Sequence, residues 1–256
     1  MKRAAAPAPG TVGRLRAAWR LVRAALHALH GALICALVFP FLDEPARMRR
    51  VGAWSARMLA LLGIGLQASG SVQQAPVLLL ANHVSWLDIL ALNAVQPLRF
   101  VSKADVRHWP LLGFMIARGG TLFIERERKR DALRVVHQVA AALQAGAAVA
   151  VFPEGTTGAG ARLLPFHANL LQAAITSGAP LQPVALRYRD AASRFSPSVV
   201  WIGATSLAES VWQIVRADSL QVCVTLLPAQ PSAAGERRLL AEALRSRIQA
   251  ALDAAD

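Results

Sequence analysis

Two long segments at the start of the chain carry apolar residues at helical spacing. The first covers residues 11–42 and is interrupted only near its end, by a proline. Its part from 24 to 42 is about long enough to span a bilayer, which takes roughly 20 apolar residues. The second segment covers 46–66 and carries Arg47, Arg50 and Arg57 between apolar positions. The pattern predicts two consecutive helices.

A polar stripe runs along the first of these helices. Its members are spaced by four, three, four and three residues and therefore share one face: Arg16, Arg20, Arg23, His27 and His30. A helix that crosses the bilayer would bury the histidine end of this stripe, whereas a helix in the interface would keep it in water. The stripe favours a two-helix hairpin in the cytoplasmic leaflet, and a single spanning anchor is the alternative.

Basic residues flank the apolar segment on both sides. Their positions bear on which side of the membrane the rest of the chain lies and on whether the segment is a cleaved signal peptide. A single span that put the rest of the chain outside would violate the positive-inside tendency at Arg47, Arg49 and Arg50. A cleaved signal peptide is disfavoured because the charged run 43–50 occupies the place of a small-residue cleavage site. We therefore expect the inner membrane as location, with the rest of the chain on the cytoplasmic side.

From residue 71 onward, short apolar runs alternate with helical patterns. Strands are predicted at 76–81, 98–102, 121–125, 147–152, 181–187 and 220–227, and helices near 85–94, 108–117, 129–145, 167–177, 207–216 and 235–252. This alternation indicates an α/β layered domain with a mostly parallel sheet, in which functional sites lie where strands end. The predicted organisation is a disordered start (1–10), a membrane-associated helical hairpin (11–70) and a catalytic domain (71–256).

Composition points to an anionic surface as partner. The 256 residues are 55% hydrophobic and carry a formal net charge of +13. The first 70 residues hold ten Lys or Arg against two acidic residues, so the basic excess lies beside the most apolar segment. A membrane surface accommodates both features, whereas nucleic-acid binding is disfavoured by the single tyrosine and the absence of aromatic-basic interleaving. Cys35 and Cys223 form neither a disulfide framework nor a zinc motif, and we expect a reducing compartment.

The most informative local motif is residues 81–88, Ala-Asn-His-Val-Ser-Trp-Leu-Asp, directly after a predicted strand. On one continuous helix His83 and Asp88 would point about 140° apart, so they meet only if His83 precedes the helix. Ser85 and Asp88 have the spacing of a capping box, which predicts a helix start at Ser85. The plainer alternative is that Asp88 caps this helix and His83 is an ordinary loop histidine.

If the two side chains meet, they form a base with an orienting partner. A carboxylate that accepts the Nδ1 hydrogen of an imidazole leaves Nε2 free to take a proton from an attacking hydroxyl. An acyl-enzyme would need a nucleophile beside the base, and Ser85 is the nearest candidate. We expect the capping role to commit its oxygen to backbone amides. Direct transfer to an acceptor hydroxyl is therefore favoured.

Two further motifs follow apolar strands. Residues 152–157, Phe-Pro-Glu-Gly-Thr-Thr, end a strand in a turn expected to expose the Glu154 carboxylate. Residues 121–126, Thr-Leu-Phe-Ile-Glu-Arg, close a strand with an acid and a base, and Arg126 has the planar fork that binds phosphate. The alternatives are a solvated Glu154 and a solvated charge run at 125–129.

In combination these motifs resemble the glycerolipid acyltransferase family, whose best-known members are the 1-acylglycerol-3-phosphate acyltransferases. The resemblance spans roughly 75–190 and rests on the order Asn-His-x-x-x-x-Asp, Phe-Ile-Glu-Arg, Phe-Pro-Glu-Gly-Thr and then Pro183-Val184. It implies a glycerol-3-phosphate acyltransferase-like fold and His83 as general base with Asp88 as its charge partner. The implied substrate-binding residues are Lys103 and Arg126 near the polar head of the acceptor, and Glu154, Gly155, Thr156 and Thr157 around its pocket.

The resemblance also implies the other participants. The acyl donor would be acyl-ACP or acyl-CoA as co-substrate, with no cofactor and no metal. Membrane lipids would be partners, and the two-helix start is similar to that of bacterial members, which act in membrane lipid biosynthesis. A lysolipid-binding protein without chemistry is a second hypothesis. A serine hydrolase is a third, disfavoured because the chain has no Gly-x-Ser-x-Gly motif.

One departure bears on the acceptor. Phosphate-handling members usually have Arg where this chain has Thr157, and their basic cluster after Pro-Phe is replaced here by His-Ala-Asn at 167–169. Losing a bidentate phosphate ligand costs about 1.5 to 3 kcal/mol of charge-assisted hydrogen bonding. In this respect the chain looks more like the branch that acylates lyso-ornithine lipid, whose head group has no phosphate. Both acceptors, lysophosphatidic acid and lyso-ornithine lipid, stay open.

Overall fold

The computed structural model describes residues 12–124, 129–232 and 236–254. The helices are α1 (Arg14–Leu37), α2 (Glu44–Leu62), α3 (Leu87–Val95), α4 (Leu112–Arg118), α5 (Lys129–Gln144), α6 (Leu171–Ser177), α7 (Leu207–Arg216) and α8 (Arg237–Ala254). The strands are β1 (Gly65–Gly70), β2 (Val77–Ala81), β3 (Arg99–Lys103), β4 (Leu122–Ile124), β5 (Ala148–Val151), β6 (Leu181–Arg189) and β7 (Gln221–Leu226). The predicted stretch 1–10 lies outside the described residues.

The strands form one seven-stranded sheet in the order β1-β7-β6-β2-β5-β3-β4. All neighbours run parallel except β6 and β7, which are antiparallel. The predicted α/β class with a mostly parallel sheet is therefore confirmed. Because β2, β5, β3 and β6 run the same way, their carboxyl ends meet at one edge of the sheet, which is where sites form in such folds.

Two helical layers cover the sheet, and β2 lies between them. Every residue of β2 is buried, as expected for a central parallel strand. Leu79 packs in a core cluster with residues of α2, α3 and α7, while Leu78 and Leu80 pack in a second cluster with residues of α5, α6 and α8. The loop that carries His83 therefore starts from a fully buried strand.

The strand β1 was not predicted, and it lies within the segment that the sequence assigned to the helical hairpin. β1 pairs in parallel with β7, so residues 65–70 belong to the sheet rather than to the helical hairpin. The sequence of β1, Gly-Leu-Gln-Ala-Ser-Gly, contains one large apolar residue. A lone edge strand with so few apolar residues gives little signal, because its pairing partner lies about 150 residues away in the chain.

The two N-terminal helices are shorter than predicted and have clear boundaries. α1 gives way to a 3₁₀ turn at Phe39–Phe41, which contains Pro40. Asp43 caps α2 by accepting a hydrogen bond from the Ala46 amide at 2.8 Å. Gly63 ends α2 with φ +84°, a conformation that favours glycine. By length and composition alone, α1 could cross a membrane.

The polar stripe of α1 turns inward in part, which corrects the expectation that it stays wet. Arg20 is buried and donates hydrogen bonds to the carbonyls of Val215, at 3.0 Å, and Ala217, at 2.8 Å. His27 stacks on Trp54 of α2, with ring centroids 5.1 Å apart, and the Trp54 indole N–H donates to the His27 carbonyl. The stripe therefore fixes α1 to the rest of the protein.

The face of α1 opposite its buried residues Ala17, Ala24, Gly31 and Cys35 is apolar and exposed. The exposed residues recur at spacings of three and four: Leu15, Trp19, Val22, Leu26, Leu29, Leu33 and Leu37. We call this face the α1 stripe. Such a continuous row of large apolar side chains is unusual on a water-facing helix and is typical of a surface that meets lipid or another protein.

Candidate active site

His83 and Asp88 form the centre of the candidate site. His83 lies in the loop between β2 and α3, and Asp88 lies in the first turn of α3. The His83 Nδ1 is 2.7 Å from the Asp88 Oδ2, so the two side chains meet as the spacing predicts. The His83 side chain is 20% exposed and that of Asp88 is fully buried. With Nδ1 held by the carboxylate, Nε2 is the ring nitrogen left for a substrate.

Asp88 is held by further donors. The amides of Val84, at 2.7 Å, and Ser85, at 3.0 Å, donate to the same Oδ2, and the Tyr188 hydroxyl donates to Oδ1 at 2.8 Å. Each oxygen of the buried carboxylate therefore has a fixed direction. This network orients Asp88 and, through it, the His83 ring.

The predicted capping role of Ser85 is wrong. α3 begins at Leu87, and it is the Asp88 carboxylate that accepts from the loop amides. Among the described residues, the buried Ser85 Oγ has no hydrogen-bond partner. Because Asp88 accepts from the Val84 and Ser85 amides, these two amides are not available to stabilise an oxyanion.

Glu154 is buried, which corrects the expectation of an exposed carboxylate. It is 5% exposed and accepts hydrogen bonds from the His83 amide, at 2.7 Å, and from the Leu164 amide, at 2.8 Å. Burial raises the pKa of the Glu154 carboxyl, against the opposing effect of these two amides. Both oxygens face the protein, so the geometry fits a residue that positions the His83 loop.

The rest of the turn after β5 also packs on the catalytic loop. The Phe152 ring stacks on the His83 ring with centroids 4.0 Å apart, and the Gly158 amide donates to the His83 carbonyl at 2.7 Å. Gly155 turns the chain with φ +72°. The Thr157 hydroxyl donates to the Trp201 carbonyl, whereas Thr156 is exposed. Of the four residues 154–157, Thr156 is the one that is exposed.

Comparison with known proteins places this constellation in a family. The family model described as Acyltransferase matches residues 65–187. The chain is 38% identical over 213 residues to the lyso-ornithine lipid O-acyltransferase of Pseudomonas aeruginosa, covering 81% of this chain and 80% of that protein. It is 39% identical over 213 residues to the 1-acyl-sn-glycerol-3-phosphate acyltransferase of Neisseria gonorrhoeae, covering 82% and 81%. The chain belongs to the acyltransferase family.

A solved structure supports the fold of this acyltransferase. The crystal structure of the 1-acyl-sn-glycerophosphate (LPA) acyltransferase, PlsC, from Thermotoga maritima superposes with a TM-score of 0.67 at 17% sequence identity. The match covers 91% of this chain and 96% of that one, so it extends over most of both chains. At this identity the likeness shows the shared fold.

The remaining predicted site residues lie apart from the catalytic pair. Lys103 is exposed at the carboxyl end of β3, on the same edge of the sheet as His83, with β5 between β3 and β2. Arg126 lies outside the described residues, just beyond β4. The structure thus brings His83, Asp88 and Glu154 together and does not bring Lys103 into contact with them. Within the described residues, no group of three or more His, Cys, Asp or Glu side chains could hold a metal ion.

Two residues that shape this site were missed. Tyr188, the only tyrosine of the chain, reaches Asp88 from β6, and Asn82 exchanges hydrogen bonds with the Leu186 backbone at 2.9 and 2.7 Å. Burial and the neighbouring Asp88 raise the pKa of the Tyr188 hydroxyl well above its ordinary value, so it remains a donor. The sequence feature that could have identified Tyr188 is the alternation along β6, which places it on the same buried face as Leu186 and Val184.

Replacing Tyr188 by phenylalanine is expected to lower kcat about tenfold with KM nearly unchanged. The change leaves Oδ1 of a buried carboxylate without its donor, which costs about 1 to 3 kcal/mol and loosens the orientation of His83. Initial rates and thermal unfolding of the purified variant would check this. An unchanged kcat in a folded variant would show that the hydroxyl does not orient Asp88.

Proposed function

We propose that this acyltransferase transfers a fatty acyl group from acyl-ACP or acyl-CoA to the free hydroxyl of a lysolipid. The observation that carries the proposal is the His83–Asp88 pair, with Nδ1 held at 2.7 Å and Nε2 left free. That arrangement suits a base that acts on a bound hydroxyl. Relatives of this chain are named for the two acceptors, lyso-ornithine lipid and 1-acyl-sn-glycerol-3-phosphate.

The proposed reaction is a single acyl transfer. His83 Nε2 takes the hydroxyl proton as the acceptor oxygen attacks the thioester carbonyl. The carbon–sulfur bond then breaks, and the departing thiolate receives the proton back from the imidazolium. Asp88 stabilises the imidazolium that forms between these steps. Acceptor ester and free thiol are the products, so no cofactor and no metal is needed in this proposal.

The surroundings of Ser85 support direct transfer. Ser85 is the serine nearest to His83 in the chain, but its side chain is fully buried and forms no hydrogen bond with the His83 ring. An acyl-serine intermediate would require its hydroxyl within hydrogen-bonding reach of Nε2 and of the thioester. The attacking hydroxyl in this proposal is therefore that of the acceptor.

The α1 stripe supports membrane association. We propose that α1 lies in the interface of the inner membrane, with the catalytic domain on the cytoplasmic side. The opposite face of α1 packs along its length on α2, α4 and α7 and includes the buried Arg20. A transmembrane arrangement would detach α1 from these partners and strip the Arg20 guanidinium of its carbonyl acceptors, which is costly in hydrocarbon. An interfacial helix keeps them.

We propose that the acceptor is a lysolipid whose head group has no phosphate for an arginine at position 157 to bind. The Thr157 hydroxyl is occupied by the Trp201 carbonyl, so this residue offers no charged fork to a phosphate. This observation favours lyso-ornithine lipid over 1-acylglycerol-3-phosphate. Other cations at the edge of the sheet, such as Lys103, remain available to either head group.

A competition assay tests this function. The purified full chain would receive equal amounts of lyso-ornithine lipid and 1-acylglycerol-3-phosphate, once with acyl-ACP and once with acyl-CoA, and the products would be identified by mass spectrometry. We expect an acylated product, with the ornithine lipid in excess by about tenfold or more, as the missing phosphate ligand implies. A reversed ratio would contradict the acceptor proposal. Lysolipid binding without product from either donor would contradict the transfer reaction.

A further inference from the structure

A short segment beside the catalytic edge exposes apolar side chains to solvent. It follows β3 and consists of a 3₁₀ turn at Ala104–His108 and the helix α4. Leu111 is 41% exposed and Phe114 is 39% exposed. We call residues 107–118 the α4 knob. No element of the described chain covers these two side chains, so their exposure requires an explanation.

The backbone at Leu111 is strained in a way that keeps it exposed. Its φ is +60°, and the Leu112 amide donates to the Pro110 carbonyl at 2.6 Å, which makes a γ-turn with Leu111 at its centre. Leucine rarely adopts this conformation, and glycine would fit it without strain. Strain of this kind persists where the surrounding structure imposes it and is concentrated at functional positions.

Two arginines lie in the same segment as the exposed apolar residues. Arg107 and Arg118 are both exposed, and the Arg118 guanidinium lies 5.5 Å from the centre of the Phe114 ring. With the exposed Lys103 they outnumber the one exposed acid of this segment, Asp105. Large apolar side chains beside an excess of cations match the chemistry of an anionic bilayer surface, where the former enter the acyl boundary and the latter meet head groups. An acidic carrier protein would be met by the cations alone and would leave the leucine unexplained.

The α4 knob lies directly beside α1. A Cβ added to Gly31 of α1 would lie 2.7 Å from the Met115 methyl of α4, so the two helices approach as closely as glycine permits. This contact lies on the packed face of α1, opposite Leu29 and Leu33 of the α1 stripe. The knob therefore adjoins the helix that is proposed to lie in the membrane interface.

The knob also contacts the catalytic loop through two tryptophans. The Trp109 ring packs edge-on against Trp201, with centroids 6.1 Å apart. The Trp201 amide donates to the Val84 carbonyl at 3.2 Å, and its carbonyl accepts from Thr157. The knob is therefore connected through Trp201 to Val84, which follows His83, and to Thr157 in the turn after β5.

We propose that the α4 knob is a second membrane contact, which inserts Leu111 and Phe114 into the lipid surface and holds the mouth of the active site at the level of the head groups. A lysolipid would then reach His83 without leaving the bilayer. The use of this contact in catalysis rests on the proposed acyl transfer, whereas the membrane contact itself does not.

Vesicle flotation of the full chain tests the contact independently of activity. Vesicles of phosphatidylglycerol and phosphatidylethanolamine in a 3:7 ratio would be mixed with wild type, Leu111→Gly, Leu111→Glu and Leu239→Glu. Leu239 is 69% exposed on α8, across the sheet from the knob, and serves as the matched control. We expect about tenfold weaker partitioning for both Leu111 variants, since a leucine leaves the lipid, and no change for the control.

Leu111→Gly separates membrane contact from folding. Glycine relieves the positive φ, so this variant is expected to unfold at the same temperature as wild type or above it, while binding vesicles more weakly. Wild-type partitioning by both Leu111 variants would overturn the proposal. So would equally weakened partitioning by Leu239→Glu, because the effect would then not be specific to the knob.

Kinetics with two presentations of the acceptor test the catalytic consequence. For Leu111→Gly we expect kcat/KM about tenfold lower with lysolipid in vesicles, and within about twofold of wild type with a short-chain monomeric lysolipid. Equal losses with both presentations would overturn the role in lipid access. A loss seen with acyl-ACP and not with acyl-CoA would assign the knob to the carrier protein instead. If wild type itself transfers no acyl group, the proposed function fails while the flotation result still stands.

Discussion

Replacing His83 by alanine is expected to reduce acyl transfer by about 10² to 10⁴-fold, the usual contribution of a positioned general base. Without the imidazole, no group at this position takes the acceptor's proton. The fold should survive, because Asp88 keeps its bonds to the Val84 and Ser85 amides and to Tyr188. Initial rates with a labelled acyl thioester, together with circular dichroism of the purified variant, would measure both effects.

A matched control distinguishes loss of the base from loss of any histidine. His137 is exposed on α5, on the helical layer across the sheet from the catalytic loop. His137→Ala should transfer at the wild-type rate. Transfer at the wild-type rate by His83→Ala would exclude His83 as the base, whatever the control shows.

Replacing Asp88 by asparagine should cause a loss of comparable size, about 10² to 10⁴-fold in kcat. The amide is nearly isosteric, its oxygen can accept the loop amides, and the Tyr188 hydroxyl can rotate to accept from its NH₂ group. What disappears is the negative charge that stabilises the imidazolium, because the oxygen that accepts the loop amides is the same one that faces His83 Nδ1. The expected signature is therefore a large fall in kcat with little change in the unfolding temperature.

Asp218→Asn supplies the control for Asp88. Asp218 is half exposed and its nearest cation is Arg16 at 3.9 Å, a distance at which an exposed ion pair contributes little. We expect that variant to match wild type in rate and in unfolding temperature. Full activity in a folded Asp88→Asn variant would show that the negative charge of Asp88 is not needed for transfer.

The central part of the site could be predicted because its determinants are local. The apolar run of β2, the polar break at Asn82 and the spacing from His83 to Asp88 lie within a dozen residues. Those features alone required His83 to precede the helix, and the structure confirms it. All six predicted strands are also present, with ends displaced by at most about two residues, because each is a short apolar run between breaks.

The errors concern features that depend on distant partners. Glu154 was expected in solvent because a carboxylate that follows a strand is usually exposed. In the structure its two oxygens accept hydrogen bonds from the amides of His83 and Leu164, and His83 is 71 residues away in the chain. Arg20 was placed on a wet stripe, but the end of α7 supplies it with carbonyls. Helical periodicity predicts which residues share a face of a helix, but it does not predict which other element packs against that face.

Ser85 illustrates a local rule overridden by a stronger acceptor. The Ser-x-x-Asp spacing predicted a capping box, in which the serine oxygen accepts an amide hydrogen bond. In the structure the Asp88 carboxylate takes the Val84 and Ser85 amides itself. A buried carboxylate gains more from these donors than a hydroxyl does, because hydrogen bonds to a charged acceptor are about twice as strong.

The central claim is that His83 activates the acceptor's hydroxyl rather than one belonging to the protein. Rapid-quench mass spectrometry of the intact chain, mixed with acyl-CoA or acyl-ACP and no acceptor, measures this directly. We predict that the protein keeps its unmodified mass, and that product forms in one phase once lysolipid is added. An acyl adduct that forms and decays at the rate of turnover, and is absent from Ser85→Ala, would contradict the claim.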